Sequence, residues 1–576
     1  MAGARLVDHG AADYVRAAKT DIDTESDRAD AYLTPVTGTS LRNVLLDELI
    51  AKHASEILAA PGAGLVQLLD EHNADALHTL YNLYSPLPAA LDALHRGIHA
   101  HILAQGEQAA AALAPLSADT RPDDNGTPDA GAPDSSAPAA APARPGPQAL
   151  GAAAKTAVAL RWVQDVLAMY DVYDSLLRKA FGDSQEMRKT IHDAFISVIN
   201  ANGRAAELLS LFIDDNLRSG LKRKGEQETD HLLERAVLMF RFLRNKDAFE
   251  HYYKAHLAKR LLFGRTLSDD AEQSLVSKLK VECGSQFTLK LEGMFKDTQL
   301  SADLARTLRD AGAPAELDGL DMCVSVLTPT FWPALAPPMS DEVAQEMRAV
   351  RPPPGPLRRA VERFSDAYLQ RHSGRRLEWQ YNMGSADVKV QFGTRAHELN
   401  VSTYQMFILA LFADAEDVVL TAAAIQAQTH IPWELLTRQL QSLACAKYRI
   451  LTKTPMSRDI SPTDTFAFNS GFTAPQYRIR IPVVAARSSI EGEREKAASL
   501  ASISKERQYL VEAAVVRIMK ARKQMVHEQL VNEAVSQLSA RFLPTPKMVK
   551  DAVGRLIDRD YLQRSPDDPR LYIYLA

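Results

Sequence analysis

The residue best placed for chemistry is a lysine near the end of the chain. It lies in the stretch YLVEAAVVRIMKARKQMVH (509–527), which contains no Gly or Pro and places Leu510, Ala514, Val515, Ile518 and Met519 at helical spacing. With Val515 at the centre of the apolar face, Met519 falls about 40° to one side, Ile518 about 60° to the other, and Lys520 about 140° away. This places the Lys520 amine in solvent on an anchored helix, on the same side as Arg517 and Gln524. A free lysine amine titrates near about 10.4, so it is a nucleophile only after something removes its proton.

Other chemistry is hard to find. The chain has no P-loop, no GxGxxG after a strand, no HExxH and no GxSxG. His95 and His99 are four apart and could share a helix face with His101 nearby, but no further ligand accompanies them, so they read as part of an amphipathic helix and no metal is expected. The adjacent acids Asp214–Asp215 and Asp269–Asp270 read as helix-end charge. Cys283, Cys323 and Cys445 are far apart, with no CxxC, and suit a reducing compartment. No catalytic residue, no cofactor and no enzyme activity are expected.

At 576 residues the chain is long enough for three to five domains. Its 46% apolar and 24% charged residues are ordinary for a globular protein, and its net charge of −5 argues against nucleic acid as the main partner. The first residues lack an apolar core of signal-peptide length, and no run of about 18 apolar residues occurs, so no membrane partner is expected and the chain is placed in the cytoplasm and nucleus.

The elements that must carry Lys520 follow from the periodicity. Residues 41–58 and 76–105 are helical in pattern, the latter broken at Pro86 and Pro88. From about 113 to 147, Pro, Ala, Gly, Asp and Ser replace the large apolar residues, as in a disordered insertion. Helical patterns resume over 158–181, 186–202, 206–220 and, in two pieces, 230–262; Phe240, Phe242, Phe249, Tyr252 and Tyr253 read as core. Ser268 reads as the N-cap of a further helix. After a Pro-dense stretch at 333–356 the period changes to alternation over 376–392 and 397–402, predicting two or three strands with a turn at Gly384–Ser385. Two modules of three helices followed by strands then occupy 403–484 and 505–576, the winged-helix pattern. The polar stretch 487–506 reads as a mobile linker between them.

A winged helix invites a second reading, a nucleic-acid-binding protein. Over 505–576, 13 Lys and Arg stand against 9 Asp and Glu, a net of +4. The helix that would enter a groove carries Lys547, Lys550, Arg555 and Arg559, but also Asp551, Asp558 and Asp560, which would face phosphates. Charge therefore favours a protein-docking module.

Five stretches in order carry a family resemblance: NKDAFEHYYKAHLAKRLL (245–262), LSDDAEQSLVSKLKVECGSQFTLKLEGMFKD (267–297), HSGRRLEWQYNMGSADVKVQF (372–392), VVRIMKARK (515–523) and the terminal YIYLA. Together they resemble a cullin, collinear from about residue 10 to the end. The stretches AELLSLFIDDNLRSG and MGSAD resemble the cullin-3 branch most, with the cullin-4 branch as the rival. The resemblance implies a mainly α chain divided into the end of a second cullin repeat (1–105), the Pro/Ala-rich insertion (106–148), a third repeat (149–228), a helical bundle (229–368), a small α/β unit (369–402), a first winged helix (403–486), a linker (487–504) and a C-terminal winged helix (505–576). The match begins late in the second repeat, so the first repeat and most of the second are expected to be absent.

The resemblance also implies a function: the non-catalytic scaffold of a cullin-RING ubiquitin ligase in protein breakdown. Its partners would be a RING protein, a ubiquitin-conjugating enzyme reached through the RING, a ubiquitin-like modifier with its ligation machinery, and a substrate adaptor. That adaptor would be of BTB type for a cullin-3-like chain, although the absent repeats would carry much of the surface for it. Lys520 matches the family's isopeptide acceptor. Arg517, Arg522 and Lys523 would bias its amine toward the neutral form and offer a basic surface to an acidic docking partner. The strands at 376–402, with Leu377, Trp379, Val388, Val390, Leu399 and Val401, would pair with a strand of the RING protein. Attachment of the modifier would free the last domain on its linker.

Overall fold

The structure is a computed structural model. It describes residues 2–60, 64–113, 152–220, 225–264, 268–310, 320–333, 341–353, 355–393, 395–413, 418–457, 459–482, 493–566 and 568–575. The insertion at 113–147 falls almost wholly outside these. The chain divides into two compact units, one of residues 1–253, 270–282 and 503–576, the other of residues 254–269 and 283–502.

The first unit opens with helices α1 (Ala2–Tyr32), α2 (Pro35–Leu49), the short α3 (Ala54–Ala59) and α4 (Leu65–Asp70), α5 (Ala74–Tyr84) and α6 (Pro88–Ala111). Helix starts follow local chemistry. Thr34 caps α2 with Pro35 behind it, the Asn73 side chain accepts the Ala76 N–H to start α5, and Pro88 opens α6 where its missing N–H has no cost. The break expected at Pro86 and Pro88 is therefore present. Next come α7 (Ala152–Lys179), α8 (Gln185–Ala201), α9 (Ala205–Asp215, ending in a π turn to Gly220), α10 (Glu226–Phe242), α11 (Lys246–Leu262), whose residues from 254 on belong to the second unit, and α12 (Asp269–Cys283). Every residue of α9 from Ala205 to Asp214 is buried. Helices α6 and α8 approach closely at Gly106, where an added Cβ would meet both Val198 methyls at 2.5 Å. A polar link crosses the same layer: His101 Nδ1 is 2.7 Å from the Tyr173 hydroxyl, and its Nε2 is 3.1 Å from Asp70. The aromatics read as core, Phe240, Phe242, Phe249, Tyr252 and Tyr253, are all buried.

The same unit contains the C-terminal winged helix. Its elements are the end of α19 (Glu493–Arg522), β7 (Gln524–Val526), α20 (His527–Leu538), α21 (Pro546–Asp558), β8 (Leu562–Arg564) and β9 (Leu571–Tyr574), and its strands are ordered β7-β9-β8. The terminal hairpin is joined by β7, an edge strand the sequence pattern does not announce.

The second unit contains α13 (Ser285–Asp310), α14 (Asp341–Ala349), α15 (Pro356–Arg371), the hairpin β1 (Ser385–Phe392) and β2 (Arg395–Ser402), α16 (Thr403–Ala410), β3 (Val419–Thr421), α17 (Ala422–Thr429), α18 (Trp433–Leu440), β4 (Leu451–Thr454), β5 (Thr465–Phe468) and β6 (Arg478–Arg480). Before α14, residues 320–328, which form no regular element, are pinned to α13 by Asp297. This carboxylate accepts the Thr328 N–H at 2.7 Å, the Thr328 hydroxyl at 3.1 Å and the Trp332 indole N–H at 3.0 Å. Helix α16 starts with a full capping box between Ser402 and Gln405.

Four expectations are corrected. Residues 376–380 form no strand among the described residues: the ladder starts at Ser385, after a short 3-10 turn at Tyr381–Met383. The turn of the hairpin is at Gly393, with φ +56°, and not at Gly384–Ser385. Gly384 is instead a point of close approach, where a Cβ would sit 2.1 Å from Thr403 Oγ1. The α/β unit and the first winged helix are not separate bodies: β6 pairs in parallel with β2, giving the order β1-β2-β6, and one core runs from Val350 through Phe392, Leu399, Phe407 and Phe466 to Ile481. Finally, residues 493–506 of the expected linker are not a linker, while 487–492 lie outside the described residues. EREKAASLASISKE consists mostly of good helix formers with no Gly or Pro, and it continues into the Lys520 helix as one element, α19.

Candidate modification site

Lys520 lies in the last turn of α19, and its side chain is exposed. The opposite face of the helix is buried: Val511, Ala514, Val515, Ile518 and Met519 are all within 2% of complete burial. They pack on Leu530, Phe542, Val549, Val553 and Tyr572 from the rest of the winged helix. The helix stops at Arg522 because Lys523 turns left-handed, at φ +65°, while its N–H still donates to the Met519 carbonyl at 2.8 Å. The chain then leaves as β7, and the Lys523 carbonyl accepts the Tyr574 N–H at 2.9 Å. Lys520 is therefore held between a packed helix and a strand, with little freedom of the backbone beneath it.

The other basic residues are not gathered around the Lys520 amine. Arg517 donates to Gln537 Oε1 at 3.3 and 3.1 Å, Arg522 stands 3.8 Å from Glu533, and the Lys523 amine lies over the Tyr574 ring at 5.1 Å. All three remain exposed cations, so a basic rim exists, but each points to its own neighbour. A shallow groove beside Lys520 is lined by Tyr509, Ala513, Val516 and Arg517 of α19 and by Leu556 and Tyr561 across from it. Beneath it Glu512, 8% exposed, accepts from Arg555 at 2.5 Å and from Arg559 at 3.3 Å. A nucleic-acid reading would make these two arginines phosphate contacts. They are instead held by a carboxylate two turns before Lys520, a pairing that only the packing of α19 on α21 reveals.

The residues expected to meet a RING strand fall into three environments. Leu399 and Val401, on β2, are buried in the core of the second unit. Val388 and Val390 are half-buried on β1, which is an edge strand of eight residues. Leu377 and Trp379 lie outside the sheet, in a stretch with no regular secondary structure. The Trp379 indole N–H donates to Ser365 Oγ at 3.0 Å, and its ring stacks on Tyr381 with centroids 5.9 Å apart. The strand that sequence reading assigned elsewhere, β6, closes the other side of the sheet: Arg478 donates twice to Glu398 Oε1, at 2.9 and 2.6 Å. The stretch YRIRIP (477–482) alternates as a strand does, but nothing local names its partner. Among the described residues no group of three or more His, Cys, Asp or Glu is placed to hold a metal, and no helix is long and apolar enough to cross a membrane.

With this geometry in place, comparison with known proteins is specific. Residues 2–305 match the cullin alpha solenoid domain, 326–472 the cullin alpha+beta domain, and 506–568 the cullin protein neddylation domain. Cullin-3 of Schizosaccharomyces pombe is 35% identical over 573 residues, covering 98% of this chain and 68% of that one. Cullin-3A of Arabidopsis thaliana is 36% identical over 567 residues, covering 98% and 70%, and Cullin-3 of Dictyostelium discoideum is 33% identical over 604 residues, covering 98% and 71%. A solved structure described as "A Dual E3 Mechanism for Rub1 Ligation to Cdc53: Dcn1(P)-Cdc53(WHB)" is 40% identical, covering 16% of this chain and 100% of that chain, with a TM-score of 0.14.

The chain belongs to the cullin family, the scaffolds of RING-type ubiquitin ligases that are activated by neddylation. Within it, the chain lies with the cullin-3 branch. A RING protein and the neddylation machinery are its partners.

Proposed function

We propose that Lys520 is the residue through which the modifier is attached, and that the chain acts without catalytic groups of its own. One observation carries this reading: within the stretch matching the neddylation domain, Lys520 is an exposed amine on a helix whose other face is buried. In the transfer, the deprotonated Lys520 Nζ attacks the C-terminal carbonyl of the modifier held as a thioester on a conjugating enzyme. The C–N bond forms, the C–S bond breaks and the thiol leaves. The base that takes the proton comes from the attached machinery, so this lysine is a substrate. The exposed rim of Arg517, Arg522 and Lys523 would favour an acidic docking partner.

The RING protein would add a strand along the edge strand β1, where main-chain groups supply the pairing and Val388 and Val390 a half-buried face, with residues 376–380 beside it. A conjugating enzyme would be reached through that RING. Leu399 and Val401 then support the sheet from within. A BTB-type adaptor would suit a cullin-3-like chain, and the cytoplasm and nucleus are the proposed setting. Attachment at Lys520 would free the C-terminal winged helix and so bring the RING toward substrate. The test is a reconstituted ligase carrying Lys520→Arg. The reading requires that the variant gain no modifier and lose the modifier-dependent part of its activity; equal activity with wild type would overturn it.

A further inference from the structure

We propose that the C-terminal winged helix is the N-terminal cap of α11, and that Arg507 and Arg541 make this contact a charge-based latch. The first N–H groups of a helix have no acceptor inside it. At the start of α11, the N–H groups of Lys246 and Asp247 both donate to the carbonyl of Arg541, at 3.0 and 3.3 Å. This acceptor lies almost three hundred residues further along the chain, just beyond α20. Side chains reinforce it. Arg507 donates to both Asp247 carboxylate oxygens, at 2.5 and 2.8 Å, and to Asn245 Oδ1 at 3.0 Å. Arg541 donates to Glu250 Oε2 at 3.0 Å. The Arg507 guanidinium also lies over the Phe542 ring at 4.9 Å.

The four charged groups are far from freely solvated: Asp247 and Glu250 are 10% and 8% exposed, Arg507 and Arg541 23% and 17%. The corner they grip is also held from behind, where Asn200 bonds the Phe242 carbonyl at 2.8 Å and the Arg244 N–H at 2.9 Å. The corner is therefore a fixed seat, and the winged helix is the part that can leave. Leaving strips α11 of its cap and separates two carboxylates from their cations, so the docked state and the ordered first turn of α11 form or break together. Opening needs no covalent change as such, only loss of this charge pairing. This deepens the reading that attachment frees the domain, and its regulatory meaning rests on that reading.

The test is hydrogen exchange on the full chain with no modifier present, followed by mass spectrometry on peptides covering 245–250, with peptides covering 511–519 reporting the winged-helix core. Arg507→Glu with Arg541→Glu is expected to speed exchange at 245–250 roughly tenfold or more, the scale of a lost cap, while 511–519 stays protected. Unchanged protection at 245–250 overturns the latch. Should 511–519 also open, the swap Asp247→Arg with Arg507→Asp decides: slower exchange at 245–250 than in Arg507→Asp alone supports the latch, and no difference overturns it. Attachment at Lys520 is read separately by intact mass, so failure of that reading leaves the exchange result standing.

Discussion

Removing the Glu512 carboxylate should loosen the platform beneath Lys520 without touching the lysine. Glu512 is held by Arg555 at 2.5 Å and Arg559 at 3.3 Å, with side-chain exposures of 10%, 33% and 56% in that order. The short bond to the more buried arginine is charge-assisted and contributes about 1.5–2 kcal/mol. The longer bond, to an arginine more than half exposed, is largely screened and contributes no more than about 0.5 kcal/mol. In Glu512→Ala both arginines can turn to water, so no charge is stranded and the loss is about 2 kcal/mol, or roughly 30-fold in the opening equilibrium. Hydrogen exchange of the full chain, read on peptides covering 546–558 of α21, should show this increase. Arg555→Ala should come close to it, and Arg559→Ala should change exchange only slightly. If Arg559→Ala matched Glu512→Ala, or if Glu512→Ala left α21 unchanged, the assignment of the pairing to Arg555 would be wrong.

Two glycines should respond in opposite directions. Gly106→Ala must push Val198 aside and should destabilise by about 1–3 kcal/mol despite better helix propensity, whereas Gly554→Ala meets nothing within 4 Å and should stabilise by about 0.5–1 kcal/mol; calorimetry of the two variants checks the signs. The Asp464 carboxyl is held below the usual range by the hydrogen bond from the Lys453 amine and then by the Ser461 N–H. A lowered folded pKa contributes stability that is present above about pH 4 and lost as pH falls through the folded value, so the β4–β5 hairpin should keep its exchange protection in mild acid and lose it only below about pH 4. Asp464→Asn should remove that acid dependence. Asp297→Ala leaves the three donors of Thr328 and Trp332 without their acceptor in a site 8% exposed, and should cost about 3 kcal/mol, seen as faster exchange over 320–328.

Much of this was legible in the sequence because it is periodic. The Lys520 helix shows its buried and exposed faces directly, and Pro86 and Pro88 mark a real break between α5 and α6. What escaped has a common cause in long-range pairing. Strand β6 resembles any short alternating run, and its parallel register with β2, one of the ties between the α/β unit and the first winged helix, is not written in it. Glu512 looks like a surface acid until α21 brings Arg555 and Arg559 to it, and Arg541 gives no local sign that its carbonyl caps a helix begun at Lys246. Residues 493–506 mislead for another reason: small and charged residues suit a flexible linker, yet Ala, Glu, Lys and Arg are also the residues that best continue a helix.

The most direct test of the central claim is intact-mass analysis of the chain, co-purified with its RING partner and incubated with the modifier and its conjugating enzymes, beside the Lys520→Arg variant. One added modifier, mapped to Lys520 and absent from the variant, is expected, together with a rise in ligase activity that the variant lacks. An adduct of equal yield on the variant, or a modified chain no more active than the unmodified one, would contradict it.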